Sequence, residues 1–591
     1  MKLRTLFYAM LVCPLALVAG QGQTKPVPTT TASGIPHLRK QGTATQLIVD
    51  GKPFLALCGE LSNSTATSVD YMKLVWPRLV AARVNTVLAG VSWNQIEPQE
   101  GKFDFSVLDG VIQGARSHNM RLMLLWFASW KNGTSSYPPD WVKKDFERFP
   151  RAQMIGNNSP WPVLGETHIQ VTGPLNIELL SPFSDASRDA DARAFAALLR
   201  HLKTFDGQQH TVIMIQVENE VGMQGDTRDR SPLADKAYAA PVPKELMDYL
   251  QQHKDSLIPE FRQVWEAAGF KTSGTWEEVF GKCVATDEIF MAWHYARYIG
   301  RVVEAGKAEY PIPMNVNAAL PRTASIADIA AKGPDPARAG RSFAIGGPMD
   351  DMMDVYRAGA PRLDILSPDA YSDRDFVRWC TRYARSGNPL FIPETRNNME
   401  AKAMYVFGRH DAVGLSLMGV ERAPTPDPEM VRGFELIAQL TPLIAKHQGN
   451  GTMSAVLLSA DDPPRKVQLG NYTFEVARMR PRVAPGAPAA ATPAPPPGFA
   501  GAIFIATGPD EYYAAGTEVT VTVSPNTPGP EHAGFGTVEE GMFVNGRWIP
   551  SRQIAGDETG EGENLSLRSH PVDRIPDGYV GIQRFTVYRY R

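Results

Sequence analysis

Eight short apolar runs, spread over residues 46–446 and separated by longer amphipathic stretches, constrain the fold of this chain more than any other feature. They are Phe54–Leu61, Thr86–Trp93, Arg121–Ser129, Val212–Glu220, Tyr310–Ala319, Leu363–Tyr371, Pro389–Thr395 and Ala412–Val420. Each is too short for an ordinary helix yet largely apolar, the pattern of a strand covered on both faces. Helical patterns lie between them, such as Met72, Val75, Trp76 and Leu79 at i, i+3, i+4 and i+7, and the long stretch Asp287–Ala308. Pro77, inside the first of these helices, is expected to kink it. Eight such strands, each followed by a helix, predict an α/β architecture, a (β/α)8 TIM barrel with insertions. An open doubly wound sheet is the competing arrangement, but it would normally carry a glycine-rich phosphate turn after its first strand, and none is present. In a barrel the C-terminal tips of all eight strands share one face, so residues far apart in sequence meet there.

Beyond residue 446 the pattern changes to short β-rich runs punctuated by Pro, Gly, Asn and Asp: Val456–Leu458, Val467–Leu469, Tyr472–Val476, Ala502–Ala506, Val519–Val523, Gly541–Val544 and Phe585–Tyr590. These predict a smaller all-β domain, an antiparallel sandwich or barrel, over 447–591, with the Pro/Ala-rich stretch 481–497 as an extended loop within it. At the other end, Met1-Lys2-Leu3-Arg4, the apolar run Leu6–Ala19 and the small residues Val18-Ala19-Gly20 form the pattern of a secretory signal over 1–20, followed by an N-terminal extension over 21–45. The run is shorter than the roughly 20 residues that span a bilayer, so the expectation is export to the periplasm or beyond, without stable membrane insertion once the signal is removed.

A chain of 591 residues with 43% apolar and 9% aromatic content folds rather than staying disordered. Its 60 basic and 63 acidic residues are mixed without long blocks of one sign, which argues against nucleic acid or an acidic lipid surface as partner and for an uncharged substrate. Cys58, Cys283 and Cys380 remain after signal removal; they allow one disulfide at most and read as small core residues. No metal-ligand or phosphate-cradling motif occurs, so no cofactor or metal is expected, and no signal of oligomeric state stands out.

Two of the eight runs deliver a glutamate at the C-terminal tip: Ile213-Met214-Ile215-Gln216-Val217-Glu218-Asn219-Glu220 on the fourth, and Pro389-Leu390-Phe391-Ile392-Pro393-Glu394 on the seventh. Cleaving a glycosidic bond needs a proton for the leaving oxygen and an anion facing the oxocarbenium-like sugar, which two carboxyl groups on rigid strands supply. Glu220 is expected to be the acid/base and Glu394 the nucleophile, at the roughly 5–5.5 Å separation of a retaining enzyme rather than the roughly 6.5–9.5 Å of an inverting one. Asn219 is expected to bond a sugar hydroxyl, and Tyr371 to hydrogen-bond Glu394 from the neighbouring strand. Asn94 and an aromatic wall from Trp126 or Trp130, the choice between them open, would line the pocket; Asn315 and Asn317 are weaker candidates. Glu218 is expected to pack in a barrel layer or to pair with a basic residue.

Gln216-Val217-Glu218-Asn219-Glu220-Val221-Gly222 resembles the acid/base motif of glycoside hydrolase family 35, the β-galactosidases. Trp93-Asn94-Gln95-Ile96-Glu97-Pro98, with Gly101-Lys102-Phe103-Asp104-Phe105 after it, resembles that family's strand-two signature. The resemblance covers roughly residues 46–446, and the end domain is similar to a small β domain appended in a bacterial subgroup. It implies a retaining exo-β-galactosidase with Glu220 as proton donor and Glu394 as nucleophile, and a structural role for Glu97 in bonding the following loop. The family commonly has Tyr where this chain has Gly90, and Cys-Ala-Glu where it has Phe127-Ala128-Ser129; those positions contact the sugar, so the resemblance leaves the sugar open. A clan relative such as a family 42 β-galactosidase or a β-glucosidase, or a carbohydrate-binding protein whose barrel has lost turnover, are the alternative readings.

Overall fold

All eight expected strands form, as Ala56–Glu60, Thr86–Ser92, Arg121–Lys131, Val212–Asn219, Met314–Ala318, Ile365–Pro368, Phe391–Thr395 and Gly414–Met418. They are called strands one to eight below. In this computed structural model, which describes residues 34–153, 179–223, 226–320, 324–332, 345–479, 498–568 and 581–591, they pair in parallel in the order seven, eight, one, two, three, four, five, six. Strands six and seven close the ring through the parallel bridge Asp369–Glu394, where the Ala370 amide donates to the Glu394 carbonyl at 2.8 Å. The signal-like residues 1–20 and the Pro/Ala-rich stretch 481–497 lie outside the described residues.

Period-two alternation sorts the strand residues between two cores. Ala56, Cys58, Leu88, Met123, Leu125, Phe127, Phe391 and Val413 fill the barrel interior. Their neighbours Leu57, Val87, Ala89, Leu122, Leu124, Ile392 and Leu415 pack outward against the helices. Both faces are therefore apolar, which is why the strands read as unbroken runs. Leu47 and Val49 also join the interior core. They come from a three-stranded antiparallel sheet, His37–Gln41, Ala44–Val49 and Lys52–Phe54. Sequence alone had placed its first part in a plain extension, because His37-Leu38-Arg39-Lys40-Gln41 has no apolar period. Polar ties hold it instead: Gln41 and Gln46 donate to the Ala445 carbonyl at 3.0 and 2.7 Å. The helix expected to kink at Pro77 runs as one element, Val69–Ala81. Pro77 and Lys73, whose carbonyl loses its partner, are both exposed, so water can serve that carbonyl.

The C-terminal part is a sandwich of a six-stranded and a four-stranded antiparallel sheet. Val456, Leu458, Ala502, Phe504, Tyr512 and Ala514 of the larger sheet face the smaller one. The alternate residues Ala455, Leu457, Ile503, Ile505, Tyr513 and Ala515 join the core of the barrel helices. The helix Met399–His410 lies so close to this face that a methyl group at Gly408 would come within 2.7 Å of Ile503 and 2.8 Å of Ala455. Three strands escaped the sequence reading: Glu511–Thr517, rich in Ala and Gly, and the polar Arg547–Gln553 and Asn564–Leu567. Among the described residues the three cysteines are free thiols, and no helix is long and apolar enough to cross a membrane.

Candidate active site

Strand four ends in a distortion that aims its last residues. The ladder with strand three pairs Trp126 with Val217 and then jumps to Lys131 with Asn219, so residues 127–130 bulge out against Glu218 alone. Glu218 and Glu220 take the left-handed φ values of +62° and +46°. For a non-glycine residue each costs roughly 1–3 kcal/mol, a strain that persists only where the surroundings enforce it.

Glu218 fills the bulge. Its carboxyl accepts from the amides of Ser129 and Trp130 at 3.2 and 2.7 Å, the donors that the broken ladder leaves without strand partners. Beneath it, Asp191 on the helix Asp185–Phe205 accepts from the Trp126 indole at 2.9 Å and the Ser129 hydroxyl at 2.7 Å. The two acids also hydrogen-bond each other. Burial, and then the neighbouring Asp191, hold the Glu218 carboxyl well above the usual range, so one proton is shared by the pair. Of the two roles expected for Glu218, a packed place in the barrel or a basic partner, it is fully buried and its partner is a second acid.

Glu220 stands just past the strand tip, and its amide donates to Asn317 Oδ1 at 3.0 Å. Asn317, on strand five, donates through Nδ2 to Asp369 at 2.7 Å, and Asp369 in turn hydrogen-bonds the Glu220 carboxyl. Burial and then the charge of Glu394 push the Glu220 carboxyl up to about 7, against the opposing pull of Lys131 and the bond to Asp369. Asp369 is raised as well, by burial first and then by Glu394 and Glu220. Asn219 is fully buried with both ends of its amide engaged, accepting from Gln216 at 3.1 Å and donating to Asn132 at 3.3 Å.

Glu394 owes its direction to a register break in strand seven. Phe391 points into the barrel and Ile392 out, and the ladder with strand eight slips between Ile392 and Thr395. The Tyr371 hydroxyl donates to Glu394 Oε2, which leaves that phenol hard to ionise, through burial first and then the facing carboxylate. Behind the strand tip the buried Lys402 bonds Thr395 Oγ1 at 3.2 Å and the Arg396 carbonyl at 2.6 Å, and pairs with Asp373 at 2.7 Å. Glu220, Glu394 and Tyr371 therefore meet on one rim, joined by Asp369 and Asn317.

Three further candidates stand elsewhere. Trp126 and Trp130 are fully buried, with Trp130 donating to the Leu180 carbonyl at 3.0 Å and set edge-on to Tyr295 and Tyr298. Both are supports beneath the rim, not walls of it. Asn94 is exposed and borders a cavity of about 270 Å³ between strand two and the helix Ser106–Ser117, whose lining contains neither glutamate. Glu97 accepts from the Trp93 indole at 2.8 Å and the Gly101 amide at 2.7 Å, closing the following loop.

Sequence reasoning passed over Glu60 and Asp369, and gave Lys131 no more than a place beside Trp130 in the pocket wall. Glu60 is the last residue of strand one, within one position of a strand end like Glu220, just past the tip of strand four, and Glu394, next to last in strand seven, so the same rule would have found it. Lys131, buried with its ammonium 4.4 Å from the centre of the Phe127 ring, lies close enough to act on Glu60 and Glu220. Any side chain at Gly90 would start 2.7 Å from that Phe127 ring. The small residue at 90 and the large one at 127 are thus one steric choice. Among the described residues no group of three or more His, Cys, Asp or Glu is arranged to hold a metal ion.

Residues 72–170 match the β-galactosidase model of glycoside hydrolase family 42, and residues 430–566 match a domain described only as of unknown function, DUF5597. The family match for the barrel segment is thus to family 42, not to the family 35 that the motifs suggested. A β-galactosidase of Xanthomonas manihotis is 29% identical over 230 residues, which is 38% of this chain and 32% of that relative, so the match spans about a third of the relative's length. Among solved structures, a β-galactosidase from Bacillus circulans sp. alkalophilus is 14% identical, with 65% of this chain and 56% of that one covered at a TM-score of 0.38. The catalytic domain of a β-amylase from Paenibacillus polymyxa is 11% identical, with 64% and 97% covered at a TM-score of 0.37. Likenesses this distant say nothing of substrate.

Proposed function

We propose that this chain is a retaining, exo-acting glycoside hydrolase that releases a terminal β-galactosyl residue, with Glu220 as acid/base and Glu394 as nucleophile. The observation that carries the reading is electrostatic. One carboxyl is poised to hold a proton near neutral pH by burial and by a second, tyrosine-bonded carboxylate on the same rim. In the first step Glu220 gives its proton to the glycosidic oxygen while Glu394 attacks the anomeric carbon, so the leaving group departs as an alcohol and a glycosyl ester remains on Glu394. In the second, Glu220 takes a proton from water, which displaces the ester and restores both groups. The β-galactosidase descriptions of the family 42 match and of the Xanthomonas relative support galactose as the sugar. A β-glucosidase of the same clan is the second reading, kept open by the pair Gly90 and Phe127, which departs from the family 35 pattern at positions expected to contact the sugar.

Aryl β-glycosides of galactose and glucose test both. Hydrolysis by the wild type with retention of configuration, and its loss in Glu394→Gln, are expected. In Glu220→Gln, kcat/KM should fall about 10³-fold on poorly activated aglycones and stay near the wild-type value on dinitrophenyl leaving groups, whose departure needs no proton, while kcat on the latter falls because water has lost its base. Inversion, or an equal loss across leaving groups, rejects the assignment. For residues 1–20 we propose removal on export, for which N-terminal sequencing of the mature secreted protein is the test.

A further inference from the structure

Strand one carries a third glutamate into the same mouth. Ala56 and Cys58 point into the barrel, so by alternation Glu60 continues that inward row at the C-terminal end of the strand. It is 1% exposed, and neither carboxyl oxygen has a hydrogen-bond partner. That is an unusual state for an acid, because a buried polar group left unbonded opposes folding and is normally matched. Glu60 lies within electrostatic reach of Glu394, Lys131, Glu220 and Glu421, in that order of effect. Of these, Glu421 is committed to the loop after strand one, where its Oε1 accepts from the Ser62 amide at 2.9 Å and the Thr65 hydroxyl at 2.8 Å. Glu394 is committed to Tyr371, and Glu220 to Asp369. Asp369 and Glu421 each have one oxygen unbonded, but among the described carboxyl groups of the rim Glu60 is buried with neither oxygen bonded by the protein.

We propose that Glu60 binds a ring hydroxyl of the terminal sugar, on the side of the ring facing Glu394 and Lys131, and so helps select which sugar is cleaved. This rests on the glycosidase reading above. A hydroxyl both donates and accepts, and a carboxyl group held neutral by burial and by its acidic neighbours matches it with one donor and one acceptor. The missing partner of a buried acid would then arrive with the substrate.

The distinguishing feature of such a residue is that it serves the substrate at the expense of the fold. Glu60→Leu should leave the melting temperature unchanged or raise it, since an unbonded buried acid is removed, while kcat/KM on the parent aryl glycoside falls by about 100-fold or more. Glu60→Gln, which keeps a donor and an acceptor, should lose less. A set of monodeoxy aryl glycosides locates the contact. On the analogue lacking the bonded hydroxyl, wild type and Glu60→Leu should agree within about threefold; on the others the full ratio should persist. The same wild-type to variant ratio on every analogue, or a fall in melting temperature that tracks the fall in activity, overturns the proposal. A wild type that cleaves no aryl glycoside rejects the glycosidase reading itself, and this inference with it.

Discussion

Replacing Lys131 by methionine should raise the pH at which activity is lost on the alkaline side. Glu220 sits near pH 7 because burial and the Glu394 charge outweigh the opposing influence of Lys131 and the bond to Asp369. With a pKa of about 7, roughly half of Glu220 is protonated at neutral pH, against about 0.3% for a carboxyl at 4.5, an enrichment of the acid of roughly 150-fold. As an acid Glu220 works only while protonated, so kcat/KM for a poorly activated aryl glycoside should decline as pH rises past about 7. Lys131→Met removes a cation that favours the ionised form, so the decline should move upward; Lys131→Arg, which keeps the charge, should hold it in place. The opposite change is available at Glu394. Glu394→Gln removes the repulsion, and the Glu220 resonance, followed by carbon NMR in the inactive variant, should titrate at a lower pH, closer to 4.5. An alkaline limb that stays put or moves down in Lys131→Met, or a Glu220 titration unmoved in Glu394→Gln, would refute the electrostatic account of the acid.

Tyr371→Phe removes the hydroxyl bonded to Glu394 and should lower kcat/KM about tenfold with little change in melting temperature, since Tyr371 is partly exposed. Glu218 binds its proton more tightly in the folded chain than in the unfolded one, so its contribution is present at low pH and is lost as pH rises through the folded value. Glu218→Gln, uncharged throughout, should therefore flatten the alkaline decline in melting temperature, at a cost of about 1–3 kcal/mol for the backbone amide left without an acceptor. Ile503→Ala, under the helix Met399–His410, should destabilise by about 2–5 kcal/mol in denaturant titration.

How far the sequence could be read depended on whether a residue's fate is set by local pattern. The eight strands were legible because both faces are buried, which leaves an apolar run that nothing else of that length resembles. Glu220, Glu394 and Tyr371 were legible because a polar residue ending such a run must emerge at the mouth. The tryptophans of strand three were misplaced because they were chosen as aromatics near a strand end, without asking which face they occupy: Trp126 follows Leu122 and Leu124 onto the helix side, and the bulge at residues 127–130 sends Trp130 under the rim, which nothing local to Phe127-Ala128-Ser129-Trp130 announces. The same bulge explains Glu218, whose acidic partner comes from a helix whose position no strand pattern gives. The sheet at His37–Phe54 escaped because glutamine side chains anchor it to a helix end some 400 residues away, a tie between parts of the chain that carries no periodicity.

The packing of the C-terminal sheet bears on how this protein can be cut or recombined. With one face against the barrel's last helices, it is a foundation shared by both parts, and severing the chain after His447 would strip the cover from Met399–His410. That helix begins beside the rim that carries Glu394: Asn398, just ahead of it, accepts from the Phe499 amide at 3.1 Å and donates to Asp373, the partner of Lys402, at 2.8 Å. Only Thr395, Arg396 and Asn397 separate Asn398 from Glu394. A chimaera that exchanges the end domain for another module would have to reproduce the apolar floor under Gly408 and the amide that meets Asn398, or lose the aim of Glu394 along with the stability.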